Sequence, residues 1–558
     1  MAMRGRPLKP AGQAGGGSGG DGADGGGGAG DLRSRVGWLL RVNRLYGAEE
    51  RWTRAATFAA AFAGGAHPGA VSTSKISRWE NGLVAVPRQA VRRYEELLTL
   101  ETGSLLSTVD VITRYMAAAP AAVEPGRGGS GRGRSDRGGA AQRGEELLER
   151  LDSTDTVTGQ VWDEATAWIT SEPGLRLRRR EWDSICHRLL VETVAADGEA
   201  WKPRFESFLR LLNHPGSREA AIATCADWAA SPGSQVYIET ISMLDASAHP
   251  DAARHVVAQL NAPTNGDAFV GALLACVRKL RDHHFSPAQR EKVTEAVLDI
   301  LADPSRTQDP VYPLATAALA LLPPDATRRL SGRLRLPGSV PAGFPGARPP
   351  AGRPADGRPH SLVAARSTAL LPRENPGFED LLLPVLIGEL LDAPVSDDRL
   401  YAAFLIRATP YRASVADALV WELGRQRPAQ AVAWTVRLLE ALRVVGTPVE
   451  RPAVEALAAR PGLPIAVPTA AVQALGHMGG ASRPELWRGL VARHTTAATA
   501  GGSEGSRDLL HHAVYSLAIR RHTEELRRIA AVHPLAPVRS AARWWLDLPA
   551  HMYVSAGQ

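Results

Sequence analysis

Between Ser72 and Arg78 the chain sets six polar side chains, Ser72, Thr73, Ser74, Lys75, Ser77 and Arg78, around one apolar residue, Ile76. At about 100° per residue this is a short helix with two unlike faces. Ile76 and Trp79 fall within roughly 60° of each other and form a buried anchor. Thr73, Ser74, Ser77 and Arg78 share an arc of roughly 140° on the other side. Small or hydrogen-bonding groups in such an arc suit the base edges and phosphates of a DNA groove. Ser72 is placed to cap the first turn, and Asn81-Gly82 provides a left-handed stop.

No other residues in the chain combine into comparable chemistry. There is no Gly-x-Ser-x-Gly elbow, no phosphate-binding Gly-Lys-Ser/Thr and no His-Glu-x-x-His. Cys186 and His187 are sequence neighbours, whereas a cysteine nucleophile and its base are brought together by the fold. Cys276 lies in the apolar run Leu273–Val277 and reads as core. The pairs His283-His284 and His511-His512 point about 100° apart on a helix and lack further ligands at a useful spacing. We therefore expect no catalytic residues, no metal ligands and no cofactor.

The elements that must position the Ser72–Gly82 helix belong to a chain of 558 residues with 54 glycines, 40 prolines and three scattered cysteines. That cysteine usage fits a reducing, cytoplasmic setting, and no run of about 18 apolar residues suggests a membrane span. The excess of Ala, Gly, Arg and Pro over Lys suggests a GC-rich, bacterial coding sequence. The net charge of +7 is localised: residues 1–140 hold 19 Lys+Arg against 12 Asp+Glu, and the remainder holds 46 of each. Attraction to phosphate is thus expected near the polar helix and nowhere else.

Along the chain, residues 1–30 form a glycine-rich tail expected to be disordered. Leu32, Val36, Leu39 and Leu40 mark a first helix from Asp31 to about Tyr46, with Arg33, Arg35, Arg41 and Arg44 interleaved on its other side. A second helix is expected from roughly Trp52 to Phe62, and Pro87 opens a further one with Val91, Tyr94 and Leu98 as its seam. These make a compact all-α domain over 31–116. Residues 117–144 read as a Gly/Arg linker, its stretch from Gly126 to Arg134 a flexible tether. An α-helical domain follows over 145–323, in which Arg176, Arg178, Arg179 and Arg180 read as a solvated face. A Pro/Gly/Arg linker spans 324–360. Over 361–550 helical segments beginning at Tyr401, Trp434, Ala471, Ala513 and Ala541 recur at intervals of 33, 37, 42 and 28 residues. The fold class is all-α: a small head followed by a helical-repeat, α-solenoid-like body or a helical bundle.

The segment Val71-Ser72-Thr73-Ser74-Lys75-Ile76-Ser77-Arg78-Trp79-Glu80-Asn81-Gly82 resembles the recognition helix of the lambda-repressor/Cro-like (XRE-type) helix-turn-helix family. The resemblance covers roughly residues 31–105. It implies base contacts from Thr73, Ser74 and Arg78, with Arg78 able to pair bidentately with guanine, and phosphate contacts from Lys75 and Ser77. It implies structural roles for Ile76, Trp79, Glu80, Asn81 and Gly82. Glu80 commonly pairs with a first-helix arginine in this family, and both Arg41 and Arg44 qualify. The chain departs from the family at Ala63–Val71, which is longer than the usual tight turn; either the second helix is shifted or the turn carries an insertion. Pro468 and Pro537 resemble openings of HEAT-type helices, a second and weaker resemblance.

The expected function is that of a sequence-specific transcriptional regulator, cytoplasmic and associated with the nucleoid, binding double-stranded DNA through residues 72–82. The helical body would serve a homo-oligomer, a protein partner or signal input. The alternative is a helical-repeat interaction scaffold whose head lacks base readout.

Overall fold

In the computed structural model the described residues are 26–116, 134–172, 174–231, 233–303, 305–306, 311–324, 328, 359–370, 378–501 and 503–558. Among them are 27 α-helices and no strand. The all-α class read from the sequence is the class observed. Residues 1–25, the arginine–glycine stretch as far as residue 133 and most of the second linker lie outside the described residues. Helices begin at Gly26 and Arg134, inside segments expected to be tail and linker.

The chain divides into two units. The first contains the head: α1 (Gly26–Tyr46), a 3₁₀ turn (Glu50–Thr53), α2 (Ala55–Ala60), α3 (Thr73–Glu80), α4 (Arg88–Leu97) and α5 (Ser104–Met116). The single helix expected over 52–62 is thus broken in two, because Arg54 adopts an extended conformation between the 3₁₀ turn and α2. Leu39, Leu40, Phe58, Phe62, Ile76, Trp79, Val91 and Tyr94 make the head's core. Glu95 on α4 starts α5 by accepting the N–H groups of Gly103, Leu105 and Leu106 at 2.8–2.9 Å, satisfying donors that a helix N-terminus leaves open.

The same unit takes in 354–390 and 401–418, residues that the sequence pattern assigned to the linker and the second helical domain. The reason lies on α1. Arg35 and Arg44, expected on an outer face, are buried. Arg35 forms a bidentate pair with Glu389 at 2.6 and 2.8 Å. Trp38 Nε1 donates to Asp380, which also caps the helix Leu382–Asp392 through the N–H groups of Leu382 and Leu383. Asn43 donates to the Ala408 carbonyl at 2.8 Å, and the Tyr411 ring stacks on Trp38 and tilts against Tyr46.

In the second unit, helices pack on the next one and on the one after that, giving two layers. Gly159–Ser171 packs on Trp201–Asn213, and Arg179–Val194 on Arg218–Ala230. The later series runs Val432–Val445, Ala466–His477, Glu504–Ile519 and Ala536–Leu546, each against the next. Such stacking buries a continuous core between neighbours. Glu192 is buried within this unit, where it accepts bonds from Trp162 (2.7 Å), Arg188 (2.9 Å) and Arg204 (3.3 Å). Arg204 also donates to the carbonyls of Val157 and Ser555. No helix among the described residues is long and apolar enough to cross a membrane.

Candidate nucleic-acid interface

The helix α3 is fixed at both ends by its own sequence. Ser72, in an extended conformation, accepts the Lys75 N–H on its hydroxyl at 3.2 Å, the expected N-cap. At the other end Gly82 takes φ +66°. Its N–H donates to Trp79 O, and the Leu83 N–H donates to Arg78 O, which is the Schellman pair of bonds. Glycine is needed there twice over, because a Cβ on Gly82 would stand 2.8 Å from the backbone of Arg33 and Ser34. The approach is mutual: a Cβ on Gly37 of α1 would lie 2.6 Å from the Trp79 carbonyl oxygen. Sequence reasoning passed over Gly37, though a lone glycine within a helical apolar pattern is the signal of close packing.

The back of α3 is locked. Ile76, Trp79 and Glu80 are buried. Of the two candidate arginines, Arg44 meets Glu80, with Nε at 2.6 Å and Nη2 at 2.7 Å. The remaining donor of Arg44 reaches the carbonyls of Trp52 and Thr53, and Tyr94 Oη donates to Glu80 at 3.0 Å. Burial opposes charge on Arg44, but the Glu80 bonds outweigh it and hold the guanidinium above its ordinary pKa. Burial and the adjacent Glu80 charge push the Tyr94 phenol well up, so it stays a donor. Arg41 instead donates to Asn81 Oδ1 at 3.1 Å.

The long segment before α3 has its own supports. Gly64 and His67 exchange backbone bonds at 2.9 and 3.1 Å, and Gly64 and Gly65 both have positive φ. Two α4 side chains staple it. Arg93 donates to the carbonyls of Ala61 and Phe62, and Glu96 accepts the Ala66 N–H and pairs with Arg93. The Arg93 bond comes first in holding the Glu96 carboxyl below its usual pKa. His67 turns inward, 5.2 Å from Phe62 by ring centroids and 6.3 Å from Trp79. Neither Arg93 nor Glu96 was singled out in the sequence.

The front of α3 faces outward. Ser72, Thr73, Ser74, Lys75, Ser77 and Arg78 are all exposed. Among the described residues no partner is present for the side chains of Thr73, Ser74 and Arg78. Lys75 Nζ lies 5.2 Å from the centre of the Trp79 ring, and Ser77 Oγ accepts from Asn81 Nδ2 at 3.1 Å. The arrangement is a rigid helix whose hydrogen-bonding face is free to meet a partner. Models of known protein families and the sequences of curated proteins give no match to the chain.

The residues excluded from chemistry are placed as follows. Cys186, Cys225 and Cys276 are buried and free; burial pushes the thiols of Cys186 and Cys276 up to about 12, which disfavours the reactive thiolate. Cys186 is buried while His187 is exposed. His284 meets the Asp245 carbonyl at 3.1 Å and His512 lies 3.4 Å from Asp508. No group of three or more His, Cys, Asp or Glu fit to hold a metal occurs among the described residues. Arg178, Arg179 and Arg180 are exposed, with Arg179 paired to Asp183 at 2.9 Å.

Proposed function

We propose that the chain is a sequence-specific DNA-binding regulator that inserts residues 72–82 into the major groove. The observation that carries this reading is the contrast across one eight-residue helix. Its back is held by buried bonds and close glycine contacts, while its exposed front leaves Thr73, Ser74 and Arg78 unpartnered among the described residues. Stabilising a helix so fully while leaving a donor-rich face bare is what direct readout requires, since base contacts depend on fixed geometry. Thr73, Ser74 and Arg78 take the base-reading roles, and Ser72, Lys75 and Ser77 the phosphate-facing ones. The surplus positive charge of residues 1–140 strengthens the encounter with DNA. A single head makes few contacts, so a homo-oligomer on paired half-sites supplies the affinity, with the two-layer helical body serving assembly or a protein partner. Cytoplasmic, nucleoid-associated localisation follows from this reading.

Selection from a random pool of duplex DNA with the full chain tests it. One enriched sequence is expected, bound with an affinity that falls steeply with salt. On that sequence Arg78→Ala is expected to cost about 1–3 kcal/mol and to relax one base position. If the wild-type chain enriches nothing, the regulator reading fails and the scaffold reading, which the stacked helices of the body favour, takes its place.

A further inference from the structure

Asn81 ends the reading helix and meets Arg41 of α1, whose guanidinium packs on Phe378, far along the chain. Its amide orientation is fixed by its neighbours. Nδ2 lies 2.7 Å from the Ser77 carbonyl oxygen, which only accepts, and Oδ1 lies 3.1 Å from Arg41 Nη1, which only donates. With the amide so placed, Nδ2 also donates to Ser77 Oγ at 3.1 Å. The Ser77 hydroxyl therefore has an acceptor lone pair engaged inward, and its single proton is left to donate outward. A phosphate oxygen, which only accepts, is the partner such a hydroxyl suits.

Arg41 is held in turn by the distant segment. Its guanidinium lies 4.4 Å from the centre of the Phe378 ring, a cation–π distance. Phe378 also packs on Tyr46. The segment that carries it is pinned to α1 by the Arg35–Glu389 pair, the Trp38–Asp380 bond, the Asn43–Ala408 bond and the Tyr411 ring. Arg41 and Asn81 are half-buried, so the relay lies behind the exposed front.

We infer that Arg41 is a positioning residue, through which Phe378, on a stretch of the same unit pinned to α1, sets Ser77 as a hydrogen-bond donor toward a DNA phosphate. This rests on the reading of α3 as the DNA-contacting helix. Its consequence is that the reading head is built from two distant stretches of chain. A change that lifts Phe378 from α1 would loosen the reading face without touching it.

Two measurements on the full chain test the proposal. The first uses no DNA: hydrogen exchange of the Gly82 and Leu83 amides and of the Asn81 side-chain amide. Arg41→Ala and Phe378→Ala are each expected to speed this exchange about fivefold, the loss of one hydrogen bond; unchanged rates in Arg41→Ala overturn the relay. The second uses the DNA sequence enriched by the wild-type chain. Arg41→Ala and Ser77→Ala are each expected to weaken binding about fivefold, and the double variant no further than either alone. Additive losses overturn the proposal. Arg41→Lys keeps the charge but not the planar guanidinium that bonds Asn81 while lying over Phe378, so it is expected to bind like Arg41→Ala; full rescue by lysine would overturn the positioning role. Asn81→Asp still accepts from Arg41 but sets a second acceptor against the Ser77 carbonyl oxygen and draws the Ser77 proton inward, so it is expected to weaken binding at least as much as Ser77→Ala. If the wild-type chain enriches no sequence, the DNA reading fails, and the exchange rates still decide the relay.

Discussion

In the head, Glu80 takes two bonds from Arg44 and one from Tyr94. In the second unit, Glu192 takes one each from Trp162, Arg188 and Arg204. Both carboxylates are buried, and in both places the spare arginine donors satisfy backbone carbonyls: Trp52 and Thr53 for Arg44, and Leu151, Ser153, Asp155, Val157 and Ser555 for the other pair. What differs is the helix that carries the glutamate. Arg179–Val194 is buried continuously from Arg188 to Val194, so its network is spent on closing loops around a core element. On α3 only Ile76, Trp79 and Glu80 are buried, so the same chemistry holds a helix still while its other side stays exposed. A buried ion network is therefore no mark of a functional site. The mark is a network on one side of an element whose other side has hydrogen-bonding groups that nothing among the described residues explains.

Removing the glutamate should separate the two cases. Glu192→Ala leaves two buried guanidiniums without their counter-charge, and is expected to lower stability by about 4 kcal/mol in urea unfolding of the full chain. DNA affinity of the folded fraction should stay within about twofold. Glu80→Ala is expected to cost about 3 kcal/mol, less because one buried guanidinium is stranded rather than two, and Arg44 keeps its carbonyls at 2.8 and 2.9 Å. Here DNA affinity should fall at least about tenfold in the folded fraction, because α3 loses the anchor that sets its angle. Equal loss of DNA binding in both variants would break the comparison.

How much of this was legible in the sequence follows the range of the interactions. The caps at Ser72 and Gly82, the anchor of Ile76 and Trp79 and the exposed front of α3 are local, and periodicity gives them directly. The pairing of Glu80 with an α1 arginine was also accessible, but the choice between Arg41 and Arg44 was not. The two are three residues apart on one helix, and only packing decides which one reaches a given point. Arg35 read as an outer-face residue, and Trp38 and Asn43 gave no signal, because their partners, Glu389, Asp380 and Ala408, are more than 340 residues away. Residues 354–390 and 401–418 read as linker and second helical domain for the same reason: a helical pattern shows that a face is buried, not against what. The long segment between α2 and α3 was visible as an excess of glycine and proline, while Arg93 and Glu96, which staple it, carry no signal in the local pattern.

The smallest effect gives the sharpest test of the helix front. Ser72 is assigned both a capping and a DNA-facing role, and the two can be separated. Its hydroxyl accepts the Lys75 N–H at 3.2 Å, which leaves the hydroxyl proton free to donate to a phosphate. Ser72→Ala removes both functions and is expected to cost about 1 kcal/mol of stability. Glycine is tolerated at an N-cap, so Ser72→Gly is expected to cost only about 0.3 kcal/mol, yet it too lacks the hydroxyl. If DNA affinity on the enriched sequence drops by about fivefold in both variants, the hydroxyl contacts DNA. If it drops in Ser72→Ala alone, Ser72 belongs to the support of α3 and the reading face begins at Thr73. The comparison then holds with one residue moved from the displayed side of the helix to the side that holds it.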